Sequence, residues 1–150
     1  MKKLLLVLVA LMSGSAAFAD GAPDCSKFNL QIGYNAMDPI RDIIAGKIVA
    51  TTRMYSDRCE KAGQTLDVVL TTDPVDGSGK RHPQARILIT KVTPNLAFAA
   101  LTDAQAKQQG QANATALRAA LTTIYGKDKN GNPVDLNKQT FTHIEFKLAR

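Results

Sequence analysis

Three segments of the chain alternate apolar and polar residues with the two-residue period of a half-buried β-strand. The apolar positions of these segments are Phe28, Leu30 and Ile32, then Leu66, Val68 and Leu70, and finally Ile144, Phe146 and Leu148. In the last segment we expect His143, Glu145 and Lys147 to face solvent. A β-rich run over residues 85–92 follows the second segment after a polar stretch, which predicts a hairpin with a long tip.

A helical pattern follows the first predicted strand. Asp38 is suited to cap a helix, Pro39 fits its first turn, and apolar residues then recur at close to helical spacing as far as Gly63. The pattern predicts one helix from Asp38 to Gly63. Gly46 and the β-branched residues after it disfavour a continuous helix, so residues 47–55 can also be interpreted as a strand.

The second half of the chain predicts another helix. Thr102 begins a capping-box pattern, and the helix would run to Tyr125, with Gly110 interrupting its first half. Before this helix, residues 96–101 are expected to form a third strand of a meander, or a helix because of their alanines. A tight turn over residues 93–95 would join them to the hairpin.

The predicted order is strand, helix, two or three strands, helix, strand. This order indicates the α+β class, with a single antiparallel sheet of four to five strands covered on one face by two helices. It resembles a split βαβ, ferredoxin-like arrangement, an analogy of element order that carries no function. Residues 20–150 have the size of one domain.

The N-terminus has the pattern of an export signal. Two lysines precede an apolar run over residues 4–12, and Ala17 and Ala19 supply the small residues that a signal peptidase needs. Residues 1–19 are therefore predicted to be a cleavable signal peptide. No later apolar run is long enough to cross a bilayer, which takes about eighteen residues or more. We expect a bacterial protein that is periplasmic or secreted.

The two cysteines, Cys25 and Cys59, both follow the predicted signal. An oxidising compartment allows such a pair to persist, so we predict one structural disulfide, with Cys59 on the inward face of the first helix. Redox catalysis normally uses two cysteines separated by two residues, and this pair is far more widely spaced.

The charge of the chain is mildly basic. The formal net charge of +6 falls by two when the signal and its lysines are removed. Such a charge favours weak contact with an anionic envelope surface. With five Phe, three Tyr and no Trp scattered along the chain, there is no basic stripe with interleaved aromatics, and we expect no nucleic-acid partner.

The hairpin tip is the most suggestive local feature. Gly77 and Gly79 leave backbone amides accessible, while Lys80, Arg81 and His82 place positive charge beside them. These three basic residues are the candidate binding site, for an anion or for a protein partner. The glycine spacing does not match a nucleotide phosphate loop. A basic, mobile hairpin end without a binding role is the alternative interpretation.

A second loop partly resembles a calcium site. Asp128, Asn130 and Asn132 have the spacing of calcium ligands, but Pro133 replaces the required glycine and Gln139 replaces the bidentate acid. A hairpin turn is the favoured interpretation. We expect no metal ion and no cofactor.

Catalytic candidates are few. His82 and His143 are the only histidines, and Ser78, near His82, lies outside any nucleophile-elbow pattern. The sequence therefore predicts a protein that is not an enzyme. The leading hypothesis is an exported binding module that recognises an envelope protein or a secreted enzyme. The alternative is a small-ligand or lipid carrier with a pocket between sheet and helices. An envelope hydrolase ranks third.

Overall fold

Five strands and three helices form the part of the chain that the computed structural model describes, which is residue 25 and residues 31–54 and 59–150. The elements in chain order are β1 (Gln31–Tyr34), α1 (Met37–Ile44), β2 (Ala50–Arg53), β3 (Thr65–Leu70), β4 (Pro83–Ala97), α2 (Asp103–Gln108), α3 (Ala114–Tyr125) and β5 (Thr140–Leu148). The predicted α+β class is confirmed. The predicted signal peptide, residues 1–19, and the start of the first predicted strand lie outside the described residues.

The strands form one mixed sheet in the order β1-β3-β4-β5-β2. β1 runs parallel to β3, with Ile32 opposite Val68, and the other three pairings are antiparallel. The prediction of a purely antiparallel sheet is wrong at the β1–β3 pairing. The reason is that α1 and β2 lie between these strands in the chain, which gives the long crossover connection that a parallel pair needs.

The first helix is much shorter than predicted. Its N-cap is Ala36, without a side-chain hydrogen bond, so Asp38 lies inside the first turn and does not cap the helix. It ends at Ile44, far short of the predicted end at Gly63. Gly46 follows with a left-handed φ of 72°, a conformation that glycine adopts at little cost and that terminates the helix.

The segment that could be read as helix or strand contains a strand. β2 occupies Ala50–Arg53 within residues 47–55, and its middle residues, Thr51 and Thr52, are β-branched and buried. Pairing with β5 satisfies the backbone groups on one edge of β2 and buries these threonines, which outweighs the helical spacing of the isoleucines.

The predicted tight turn over residues 93–95 is a β-bulge. The pairing of β4 with β5 shifts register between Thr93 and Leu96, and Asn95 has a positive φ of 59°. β4 therefore continues through Pro94 to Ala97, and Phe98–Ala100 forms a short 3-10 helix, so the strand interpretation of residues 96–101 is wrong. A bulge accommodates a proline, which has no N–H to donate to the sheet.

The second predicted helix is divided in two, as Gly110 indicated. The capping box of Thr102 and Gln105 is present at the start of α2. Gly110 has a φ of 76°, and a Cβ atom built there would lie 3.4 Å from Ile48. Asn113 then caps α3, its side-chain oxygen accepting a hydrogen bond from the backbone N–H of Ala116.

Two apolar clusters form the core. The first contains Ile32, Ile40, Ile43, Leu66, Val68, Ile87, Ile89, Ile144 and Phe146, and the second contains Leu101, Ala106, Leu117, Leu121, Leu136 and Phe141. Because side chains alternate along a strand, Phe141 and Ile144 place β5 between the two clusters, buried from both sides. The prediction that His143 faces solvent is therefore wrong, since its side chain is 1% exposed. Leu148, predicted to point inward, is 42% exposed.

The predicted disulfide between Cys25 and Cys59 is present, with a Cα–Cα distance of 5.4 Å. Cys59 is buried, as expected, but it lies beyond β2 and not on a helix. The bridge joins the segment before β1 to the segment after β2. It therefore links the segments that flank β1 and β2, the two strands at opposite ends of the sheet order.

The helices within the described ranges are all too short or too polar to cross a membrane.

Loss of the disulfide should lower the free energy of unfolding by about 4 kcal/mol, because the bridge closes a long loop and restricts the unfolded chain. The test is chemical denaturation of the oxidised protein and of the C25S/C59S double variant. A reducing agent should destabilise the unsubstituted protein by a similar amount and leave the double variant unchanged. A difference of less than about 1 kcal/mol would contradict the structural role assigned to the bridge.

Candidate functional site

A cavity of about 470 Å³ opens between β1, β2 and α3. β1 and β2 stand at opposite ends of the sheet order, yet both contribute to its wall. The sheet therefore curls until its two outer strands face each other, and the cavity fills the space between them. Its volume is in the range of small-molecule sites, about 300–1,000 Å³.

Arg53, the last residue of β2, bridges the gap between the two outer strands. Its Nη2 donates a hydrogen bond of 3.0 Å to the backbone oxygen of Gly33 in β1. Its guanidinium carbon lies 5.0 Å from the centre of the Tyr34 ring, a cation–π distance. The Arg53 Nε and the Tyr34 hydroxyl are buried without a hydrogen-bond partner. Both residues line the cavity.

Gly33 allows β1 to approach the turn that follows β3. A Cβ atom at this position would lie 2.5 Å from Cγ2 of Thr71, which is too close for a real contact. The backbone N–H of Thr71 donates to the oxygen of Tyr34 at 2.7 Å. The absence of a side chain at Gly33 therefore lets the backbone of this wall pack tightly beside Arg53.

The opposite wall of the cavity is apolar and comes from α3. Leu117, Ala120, Leu121 and Ile124 line it, at spacings of three and four residues, which places them on one side of the helix. Leu117 and Leu121 are buried in the second core cluster, whereas Ile124 is 62% exposed. An apolar surface thus continues from the core into the cavity and out to solvent.

The outer edge of β2 is covered by the end of α2. The side-chain oxygen of Gln109 accepts a hydrogen bond of 2.7 Å from the backbone N–H of Thr52, and its Nε2 donates to the Thr52 hydroxyl at 2.8 Å. The backbone oxygen of Gln108 accepts from the N–H of Val49 at 2.8 Å. These contacts satisfy backbone donors that an unpaired sheet edge would leave open.

Behind Thr52, a chain of polar side chains crosses the buried side of β5. Nδ1 of His143 lies 3.0 Å from the Thr52 hydroxyl, and its Nε2 lies 2.9 Å from Oε1 of Gln108. Gln108 donates from Nε2 to Glu145 at 3.1 Å, and Lys91 pairs with the same carboxylate at 3.3 Å. A carboxylate accepts only, so Gln108 presents its oxygen to His143, whose Nε2 must carry the proton.

A lowered pKa favours the neutral imidazole of His143, in which Nδ1 accepts from the Thr52 hydroxyl. Burial lowers the pKa of His143, Glu145 opposes this by favouring the charged imidazole, and Lys91 adds to the lowering. The Thr52 hydroxyl donates to His143 and accepts from Gln109, so both of its hydrogen-bonding roles are used within the fold. This network holds β2, β5 and α2 in place beside the cavity.

The predicted tip residues lie elsewhere, outside the cavity wall. Lys80 and His82 are exposed, but Arg81 is half-buried, and its Nε donates to the backbone oxygen of Asp73 at 3.0 Å. The backbone N–H and oxygen of Arg81 both bond to the side chain of Gln31, at 3.0 and 2.7 Å. The structure thus leaves two of the three basic side chains open to a partner.

Both suggestive loops are closed by an aspartate. The Asp76 carboxylate accepts hydrogen bonds from the hydroxyl and N–H of Ser78 and the N–H of Lys80, which lower its pKa. The Asp128 carboxylate accepts from the side chain and N–H of Asn132 and the N–H of Asn130, with the same effect on its pKa. In the second loop these contacts form a turn, in agreement with the favoured interpretation.

Three solved structures share this fold at 15% sequence identity. The first is an ASCH domain from Lactobacillus crispatus JV V101, with a TM-score of 0.56 and coverage of 82% of each chain. The second is protein EF3133 from Enterococcus faecalis V583, of family DUF984, with a TM-score of 0.52, covering 74% of this chain and 69% of that one. The third is the hypothetical protein PH0355, with a TM-score of 0.54, covering 79% of this chain and 97% of that one.

The fold is that of ASCH-domain structures. No protein-family model and no curated protein matches the sequence. At this level of identity the likeness concerns the path of the chain, and the chemistry of the cavity rests on the side chains of this protein alone.

Sequence reasoning did not find the cavity residues. Arg53 and Tyr34 belong to no motif, and they are far apart in the chain from the Gln109 and α3 residues that complete the wall. The one available signal was the strand interpretation of residues 47–55, which would have placed Arg53 at a strand end. Nothing in the spacing indicates that β1 and β2 face each other.

The lowered pKa of His143 should make stability depend on pH. A histidine of ordinary pKa near 6.5 takes up a proton in the unfolded chain more readily than buried His143 does. Stability should therefore be complete above pH 6.5 and fall as the pH drops below it, until the folded imidazole is also protonated. Denaturation midpoints between about pH 5 and pH 8 measure this slope.

H143Q should reduce the slope, and H82Q, which changes an exposed histidine, should keep it. An H143Q protein whose stability falls below pH 6.5 as steeply as that of the unsubstituted protein would contradict the assignment.

Proposed function

We propose that the protein is an exported small-molecule-binding protein that holds its ligand in the cavity between β1, β2 and α3. The observation that carries this proposal is the cavity itself, about 470 Å³ in volume and bounded by two outer strands and a helix. Its size is that of small-ligand sites, and its lining combines the apolar wall of α3 with polar side chains from the strands and the neighbouring loops. The proposal corresponds to the carrier hypothesis from the sequence.

The lining supports binding and not catalysis. Among the described residues that form the wall there is no histidine, cysteine, aspartate or glutamate. General acid–base chemistry most often relies on such groups within hydrogen-bond reach of the substrate. Thr52 of the wall and His143 behind it resemble a nucleophile and its base, but they are 4% and 1% exposed and bonded to the fold. We therefore propose a carrier or sensor.

Export is part of the proposal. The signal pattern over residues 1–19 predicts it, and the disulfide and the described helices are compatible with an extracellular location. Structural disulfides persist outside the reducing cytoplasm. In this interpretation the working protein is residues 20–150, in the periplasm or beyond.

A protein partner at the hairpin tip is the second candidate function. Asp76 closes the tip with three hydrogen bonds, which presents Lys80 and His82 to solvent on a defined loop. Such a loop could contact an acidic surface of an envelope protein or a secreted enzyme.

If the tip binds a partner, K80A/H82A should lose the proteins that the unsubstituted protein retains from an envelope extract. K127A/K129A is the matched control, because it removes exposed positive charge from the other hairpin. If all three proteins retain the same extract proteins equally well, the hairpin tip is not the binding site.

Filling the cavity should weaken ligand binding. Ala120 lines the wall on α3, and its neighbour Ala119 is exposed and outside the wall. A120W should weaken binding of the apolar fluorescent probe N-phenylnaphthylamine by about tenfold or more, because the indole occupies the space of the probe. A119W adds the same side chain to the same helix and should leave the affinity within about twofold of the unsubstituted value.

Fluorescence titration of the three proteins measures these affinities. If A120W and A119W bind the probe equally well, the probe does not occupy this cavity. If the unsubstituted protein does not bind it, the proposed apolar site is absent.

A further inference from the structure

We infer that the ligand of this cavity is an anionic amphiphile, with one acidic head group at Arg53 and an apolar chain along α3. The inference rests on the proposed binding function and names its ligand class. It depends on three features of the described residues, which are an uncompensated positive charge, a preorganised guanidinium and an apolar wall opposite to it.

The first feature is the charge of Arg53. No acidic residue lies in the described cavity wall, and the ion pairs of the described chain use other cations. The side chain is half-buried, and its Nε is buried without a partner. A partly desolvated cation without a counter-charge is costly, and the Tyr34 ring compensates it only in part. An anionic ligand would supply the missing charge.

The second feature is the fixed position of the guanidinium. One end is bonded to the Gly33 oxygen at 3.0 Å, and the Tyr34 ring contacts the group at 5.0 Å. These contacts hold the planar donor group in place before the ligand arrives, which reduces the entropy lost on binding. A guanidinium matches the oxygens of a carboxylate or a phosphate, which can accept two of its hydrogen bonds.

The number of charges limits the head group. Arg53 is the only lysine or arginine in the described wall, so one acidic group is matched and a polyanion is not. The other polar side chains there, including Asn35 and Gln111, are neutral and can bond to remaining oxygens of the head group. A cationic ligand would face repulsion from Arg53.

The third feature determines the rest of the ligand. Leu117, Leu121 and Ile124 form an apolar wall that reaches from the core to solvent, where Ile124 is 62% exposed. A small polar anion would leave this surface in water, whereas an alkyl chain would cover it and contribute about 0.8 kcal/mol per buried methylene. The charge and the wall together therefore require a head group and a chain in one molecule.

Four ligands with chains of nine or ten carbons test this inference on the unsubstituted oxidised protein. They are decanoate, decyl phosphate, decanol and decyltrimethylammonium, each measured by displacement of N-phenylnaphthylamine. At least one of the two acids should bind about tenfold or more tightly than decanol, and the cation should bind more weakly than decanol. The tighter acid assigns the head group as carboxylate or phosphate.

R53M locates the head group. This variant keeps an unbranched apolar side chain but loses the charge, so it should weaken the preferred acid by about ten- to a hundredfold and leave decanol within about twofold. R86M is the matched control, because Arg86 is exposed, pairs with Asp67 and lies outside the cavity wall. It removes the same charge and should leave all four affinities unchanged.

The outcomes separate the two levels of the proposal. If neither the probe nor any decyl compound binds, the proposed function fails and this inference fails with it. If decanol and decyltrimethylammonium bind as tightly as the acids, the cavity is a ligand site but the anionic head group is wrong. The ligand series uses the unsubstituted protein, so it decides this point even if R53M does not fold.

Discussion

The approach of β1 and β2, the outer strands of the sheet, is the constraint on which the candidate site depends. These strands have no ladder to each other, because they stand at opposite ends of the sheet order. They are joined by the hydrogen bond from Arg53 to Gly33 and, through the flanking chain, by the Cys25–Cys59 bridge. The cavity lies beside the Arg53–Gly33 contact, where residues 33–35 and 50–53 line it.

A second set of contacts holds β2 in position beside the cavity. Gln108 and Gln109, at the end of α2, bond to the backbone of Val49 and Thr52, and His143 connects Gln108 with Thr52. A buried polar network of this kind is stable because each member satisfies its neighbours. Arg53 contrasts with it, because its Nε and the Tyr34 hydroxyl lack partners inside the protein. Arg53 and Tyr34 line the cavity together with Thr52 and Gln109 of this network.

Much of the fold could be predicted from local patterns, and the errors have a common cause. The alternation of residues 66–70 and 144–146, the capping box at Thr102 and the break at Gly110 depend on neighbours in the chain, and each was found. The long helix, the separate strand over residues 96–101 and the exposed His143 were wrong because pairing with β5 and burial by α2 decided them. Local propensity is weak where tertiary contacts compete with it.

The sequence by itself determined the α+β class and the disulfide pair, because the first depends on short-range spacing and the second on residue type. Only the tertiary structure decided that β1 runs parallel to β3, that the outer strands of the sheet face each other, and that Arg53 and Tyr34 meet α3 across a cavity. The physical reason is that these contacts join residues far apart in the chain. Their pairing depends on how the whole sheet curls, and no local pattern encodes it.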